Sequence, residues 1–218
     1  MATILQTSLT GGDMLFLLQG AGRTMLLTIA ATLSGTLLGV ACGVARAESG
    51  WAANRLIGAV VDVIRSVPLL IQLIIFNSFV AILGYPMSAF QSGAVVLTLY
   101  MAVNCTEVVR SGAQSVPRLT RRAARSLGMS YLQDLRHIVI PMGLRTAFPA
   151  WVGVVLGIMK DSALVSVLGY FELLKSSQTL ITRTQEPLLI LILVGVFYFA
   201  LSFPLSRLAG TLERVMQR

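Results

Sequence analysis

The chain has 218 residues, of which 56% are hydrophobic and 12% charged, with a formal net charge of +8 and a mean hydropathy of +0.81. A water-soluble domain carries about a quarter charged residues and just under half apolar ones, so this chain lacks the polar surface to cover itself in water. A soluble enzyme and a disordered tail are excluded, and an all-α integral membrane protein is expected.

In chain order, Asp13 precedes the first apolar run with no basic cluster ahead of it, so a cleavable signal is not expected. The stretch Asp13–Gly22 reads as a helix lying at the membrane surface. Five segments then reach the length needed to cross roughly 30 Å of hydrocarbon. They are Thr24–Ala45, Pro68–Leu83, Ser92–Val109, Thr146–Gly169 and Leu188–Leu208. The first carries Ala31, Gly35, Gly39 and Gly43 at a four-residue period, a stripe that lets another helix approach closely. Asp62 and Arg65, before the second span, and Glu107 and Arg110, ending the third, have the spacing of i,i+3 ion pairs.

Neutral polar residues at membrane depth, Gln72, Asn77 and Asn104, read first as inter-helix hydrogen-bonding groups. Lys160 and Asp161 lie about 20 Å along the fourth span. Charge at that depth is expensive, and adjacent residues point different ways on a helix, so a break or partners on other helices are expected. A structural ion pair and a place on a polar path both remain open. Cys42 and Cys105 read as buried thiols without metal-ligand spacing. His137 is the only histidine, so neither a histidine metal site nor a catalytic triad has material to work with. No metal or cofactor is expected.

The segment Arg110–Arg145 carries Arg110, Arg118, Arg121, Arg122, Arg125, Arg136 and Arg145 against one acid, Asp134. The positive-inside rule places it in the cytoplasm, giving five spans with the N-terminus outside and the C-terminus inside. Arg207, Arg214 and Arg218 agree. Within the loop, Pro117 suits a helix start and Gly128 a helix stop. Arg118, Arg121, Arg122 and Arg125 share one face, and Val116, Leu119, Ala123 and Leu127 the other. Ser130 and Gln133 fit a capping box for a second short helix striped by Leu132, Leu135 and Val139, which Pro141 is expected to end. Two such helices need a surface. Either they pack on the inner ends of the spans with the arginines on anionic lipid, or they dock into a cytoplasmic partner. Aromatic residues do not interleave with the arginines, so nucleic acid is not an expected partner.

Ala123, Ala124, Gly128, Ile138 and Pro141 resemble the coupling motif of permease subunits of ATP-binding-cassette importers. That motif reads Glu-Ala-Ala, three residues, Gly, nine residues, Ile, one residue, Leu-Pro. Further stretches look like the polar-amino-acid uptake branch: Thr24 to Thr28, Arg65 to Gln72, Glu107 to Gly112 and Lys160 to Gly169. The likeness runs from about residue 14 to the C-terminus. It implies one transmembrane permease domain over 1–218, a coupling loop at about 110–145 that sits in a cleft of a separate ATPase subunit, a second permease subunit, and an extracytoplasmic solute-binding protein. It also implies a bacterial inner membrane location. Gln72, Asn77, Asn104, Lys160 and Asp161 become candidates for the solute path. The sequence departs from the motif at Arg122, which stands where the Glu belongs, and at Ile140, Leu119, Thr120 and Met142. The charge reversal at Arg122 suggests a second permease of more regular motif. No nucleophile–base pair or phosphate-binding loop is present, so ATP hydrolysis is expected on another chain. The rival reading is a membrane scaffold that recruits a soluble partner through the basic loop.

Overall fold

The computed structural model describes residues 9–48 and 50–217, which form helices and no strand. The helices are α1 (Gly11–Glu48), α2 (Trp51–Ser66), α3 (Leu69–Ile82), α4 (Ala89–Gln114), α5 (Arg118–Ser126), α6 (Tyr131–Asp134), α7 (Ile140–Asp161), α8 (Leu173–Thr184) and α9 (Pro187–Gln217).

The stretch Asp13–Gly22 is not a separate surface helix. It is continuous with the first span, and α1 runs unbroken for 38 residues, about 57 Å. No proline interrupts it, and Asp13 secures its first turn by accepting bonds from the Thr10 N–H and hydroxyl, both at 2.9 Å. A carboxylate at that end also suits the helix dipole. Asp13 is buried against Arg183 of α8 rather than exposed at a surface.

The glycine stripe does what its spacing predicts. A Cβ at Gly35, Gly39 or Gly43 would lie 2.5, 2.5 and 2.6 Å from the β-carbons of Met101, Cys105 and Val109 on α4. The two helix backbones therefore approach to a separation that only glycine allows. Gly112 of α4 and Gly143 of α7 repeat the device, since a Cβ on Gly112 would stand 2.7 Å from the Gly143 carbonyl oxygen. Around these seams Leu27, Leu73, Leu97, Met101 and Ile158 form one buried cluster. Leu17, Leu173, Leu180 and Ile190 form a second between α1, α8 and α9. Cys105 is buried as expected, whereas Cys42 is exposed, lying off the stripe that meets α4.

The second span departs from expectation. Helix α3 has 14 residues, about 21 Å, and is bent by 100° from α2. Pro68 forces the break: Val67 before it is extended, at φ −93° and ψ 130°. Four helical stretches are long and apolar enough to cross a membrane, and a fifth if the bent α2–α3 pair counts as one. Asp62 and Arg65, both exposed on α2, form no ion pair among the described residues, in keeping with the small worth of such surface pairs.

Pro141 does not end its helix. A π-helical turn over Leu135–Val139 joins α6 to α7, with the Ile140 N–H donating to the Leu135 carbonyl. The wider turn immediately before the proline accommodates the missing donor and the ring. At the far end α7 passes at Asp161 into a 3-10 helix, Ser162–Leu168, which stops at Gly169 with φ +87°. This is the break that two adjacent charges called for.

The glycine seam gives a direct test. Gly39→Val should cost about 1–3 kcal/mol by overpacking and lower the thermal midpoint of the detergent-solubilised protein. Gly153→Ala, where an added Cβ meets nothing within 4 Å, should leave it unchanged.

Candidate functional site

The loop between α4 and α7 is built from two stop-and-start signals. Helix α5 closes at Gly128, whose φ of +90° favours glycine. The Gly128 N–H donates to Arg125 O at 3.0 Å and the Met129 N–H to Ala124 O at 3.2 Å, a reciprocal pair that satisfies the last carbonyls of the helix. Ser130 then opens α6 with both halves of a capping box to Gln133. Ala124 is the buried small residue of α5, and Ala123 lies exposed beside it.

Beneath α5 lies a cluster of opposite charges. Asp134 is fully buried. Its Oδ2 accepts from Arg121 Nε at 3.0 Å and from Arg125 Nη2 at 3.1 Å and Nε at 3.3 Å. Its Oδ1 finds no hydrogen-bond partner among the described residues. Arg121 also reaches Glu48 at the end of α1, with Nη1 to Oε1 at 3.2 Å and Nη2 to Oε2 at 3.3 Å. Tyr131 donates its hydroxyl to the same carboxylate, and Arg125 lies over the Tyr131 ring, 5.4 Å from its centroid. Hydrogen bonding to Glu48, helped by Asp134, raises the Arg121 pKa above the ordinary arginine value, so the side chain is a permanent cation. The lone acid among seven arginines was the one sequence signal for this cluster.

This arrangement inverts the expected faces in part: Val116 is buried and Arg118 and Arg122 are exposed as expected, but the rest of each face is reversed. Arg121 and Arg125 turn toward the body of the protein, while Leu119, Leu127 and Leu132 are 78%, 87% and 72% exposed. Leu119, Ala123 and Leu127 follow one another at four-residue intervals and share a face of α5. The apolar side is thus not packed on the inner ends of the spans. Arg122 projects from the exposed surface and makes no ion pair among the described residues. Ile138 and Pro141 lie further along, in the π turn and at the start of α7.

The path candidates do not converge on one cavity. The Gln72 amide donates to Ile64 O and Val67 O, each at 2.7 Å, satisfying carbonyls freed at the Pro68 break. Asn77 accepts from Ser92 Oγ at 2.9 Å and ties α3 to α4. Asn104 bonds the Tyr100 carbonyl of its own helix at 2.8 Å. Lys160 is exposed and Asp161 half-buried, and neither makes an ion pair among the described residues. Glu107 and Arg110 pair as expected, at 2.8 Å, and Glu107 also binds Arg46 of α1.

At the opposite end of α1 sits a buried acid that composition does not single out. Glu172 caps α8, accepting from Leu174 N at 2.8 Å and Lys175 N at 2.7 Å. Tyr198 of α9 donates to it at 3.3 Å and Thr24 of α1 at 3.4 Å. A carboxylate followed by a short amphipathic run was the available signal.

Residues 35–218 match the family of binding-protein-dependent transport system inner membrane components. The chain belongs to this family. It is a permease subunit of an importer and resides in the bacterial inner membrane. The probable glutamine ABC transporter permease protein GlnM of Bacillus subtilis is 31% identical over 160 residues, covering 73% of this chain and 74% of that protein. The glutamine transport system permease protein GlnP of Escherichia coli K12 is 28% identical over 203 residues, 92% of this chain and 93% of that one. A crystal structure of an amino acid ABC transporter with histidines superimposes with a TM-score of 0.85 at 28% identity, covering 91% and 93% of the two chains. The inward-facing MetNI methionine ABC transporter, at 20% identity and a TM-score of 0.82, covers 96% of this chain and all of its own and shows the fold alone.

Two outcomes test the site's construction in this permease. Asp134→Ala leaves Arg121 and Arg125 without their buried partner, and local opening should become easier by about 1–2 kcal/mol. Limited trypsin digestion of the loop should then run roughly tenfold faster. Burial pushes the Glu172 carboxyl above its ordinary range, while the two N–H donors, Tyr198 and Thr24 oppose the rise. A raised folded value means that its contribution to stability is fully present below the ordinary glutamate pKa and is lost as pH rises through the folded value. Glu172→Gln should flatten the thermal midpoint across that window.

Proposed function

We propose that this permease forms one half of the translocation path of an ATP-driven importer for an amino acid or a related small polar solute. In this reading residues 1–218 are one transmembrane domain with the N-terminus outside and the C-terminus inside. The loop of about 110–145 docks on a separate ATPase subunit, which supplies the hydrolysis. A second permease subunit completes the path, and an extracytoplasmic binding protein delivers the solute. The glutamine and amino acid transporters to which the chain is similar support the solute class.

The observation that carries the docking reading is the outward face of α5. An isolated helix of nine residues is marginal in water. This one turns Arg121 and Arg125 onto Asp134 and leaves Leu119, Ala123 and Leu127 outside, with Leu132 of α6 exposed beyond the turn. A contiguous apolar face of that kind marks a protein contact. Arg122 gives the face a positive charge. Lys160 and Asp161, adjacent charges in no salt bridge among the described residues where α7 gives way to a 3-10 helix, are the path residues this reading favours.

Mild-detergent capture of the permease from its native membrane should recover an ATPase subunit and a second permease. Leu127→Asp should reduce ATPase recovery about tenfold, the effect of losing one central apolar anchor. Arg122→Glu should reduce it as well; an increase in recovery and in coupled transport would mark the arginine as drift from the motif. Recovery of some other soluble protein with no ATPase would favour the scaffold reading.

A further inference from the structure

Helix α5 is held to the rest of the chain through two arginines, and they are not equivalent. Arg125 reaches α6 alone, through Asp134 and the Tyr131 ring. Arg121 reaches both α6, through Asp134, and α1, through both oxygens of Glu48.

Glu48 is in the wrong place by local rules. It is the last residue of α1, where the helix macrodipole is negative and a carboxylate is disfavoured. It is retained there by Arg121 and by the Tyr131 hydroxyl, both from the loop. A local conflict compensated by a distant segment is the pattern expected at a functional position.

From Glu48 the helix runs without a proline to Asp13. At that far end Asp13 pairs with Arg183 of α8. The Thr24 hydroxyl accepts from Leu173 N at 3.2 Å and donates to Glu172. One continuous helix thus carries a charged clasp at each end, the first on the docking loop and the second on α8.

We propose that Glu48 and Arg121 form a latch that passes movement of α5 to α1, and along α1 to α8 on the opposite side of the membrane. α1 is then a second transmission arm beside α7, which continues covalently from the loop. The inference rests on the reading of α5 as the ATPase-docking helix. Glu48 is a positioning residue, acting through Arg121. Without its charge α5 keeps its three bonds to Asp134 and still docks, but α1 no longer follows.

The test uses the complete importer in vesicles of phosphatidylethanolamine and phosphatidylglycerol, with Cys42→Ser and Thr182→Cys in the permease. Thr182 is exposed on α8, and a membrane-impermeant maleimide reports its accessibility with and without ATP and vanadate. ATPase recovery is measured alongside. In the parent the labelling rate changes with nucleotide. In Glu48→Gln recovery stays at the parent level while the nucleotide-dependent change shrinks at least about fivefold, the lower end of measured coupling between sites. Glu48→Asp retains most of the change. Should Glu48→Gln not reach the membrane, Arg121→Lys keeps the charge at Asp134, loses the two-point contact with Glu48 and shows the same loss. A parent without any nucleotide response at Thr182→Cys, or a Glu48→Gln response equal to the parent's, overturns the latch. A parent that recovers no ATPase overturns the docking reading, and the latch falls with it.

Discussion

The close approach of α1 to α4 is the constraint on which the rest of the structure depends. Hydrocarbon tails are as apolar as leucine, so helices in a bilayer gain little from hiding apolar surface and associate through close packing. Gly35, Gly39 and Gly43 leave room for Met101, Cys105 and Val109 to sit directly against the α1 backbone. With that seam fixed, Glu107 lies within reach of Arg46, and Glu48 lies where the loop after α4 returns. The end of α1 nearest the loop then holds Glu48 within reach of Arg121 on α5.

What the sequence reveals follows the range of the interaction that decides it. The glycine seam, the Ser130–Gln133 box and the stop at Gly128 are governed by residues within one or two turns, and all three are readable from spacing. The change of helix type at Asp161 is readable because two adjacent charges cannot both be accommodated on one apolar helix. Helix α8 is not, since its apolar face is short and packs on α1, which is remote in sequence, as well as on the α9 that follows it. Pro141 misleads for a related reason: its usual effect is cancelled by a π turn that no residue pattern announces.

The loop shows most clearly where pattern reading stops. Periodicity divides α5 into an arginine face and an apolar face, and that division is correct in part. Which face turns inward is decided by Asp134 and Glu48, two carboxylates from other elements that neutralise Arg121 and Arg125. Counting charge along the chain gives a basic loop; pairing it in space leaves Arg118 and Arg122 outside with an apolar row beside them. The candidate path residues show the converse. Gln72, Asn77 and Asn104 spend their polar groups on backbone repair and helix contact, so polarity at membrane depth alone does not mark a route for solute.

The two sides of α5 are set to change at different rates over evolutionary time. Arg121, Arg125 and Asp134 interlock within one chain, and the second oxygen of Asp134 has no reserve partner. Replacing Asp134 removes the partner of two cations at once, and replacing Arg121 also takes the cation from Glu48, so descendants reach a different solution at either position only through a weakened intermediate or by simultaneous replacement. The Arg122 side chain is in no ion pair among the described residues. It is free to drift with whatever surface it meets, and a lineage could reverse its sign in step with a partner gene while the inward triad stays as it is. Related subunits sharing a membrane could thereby diverge in partner choice through a single exposed position, with no change to the fold that presents it.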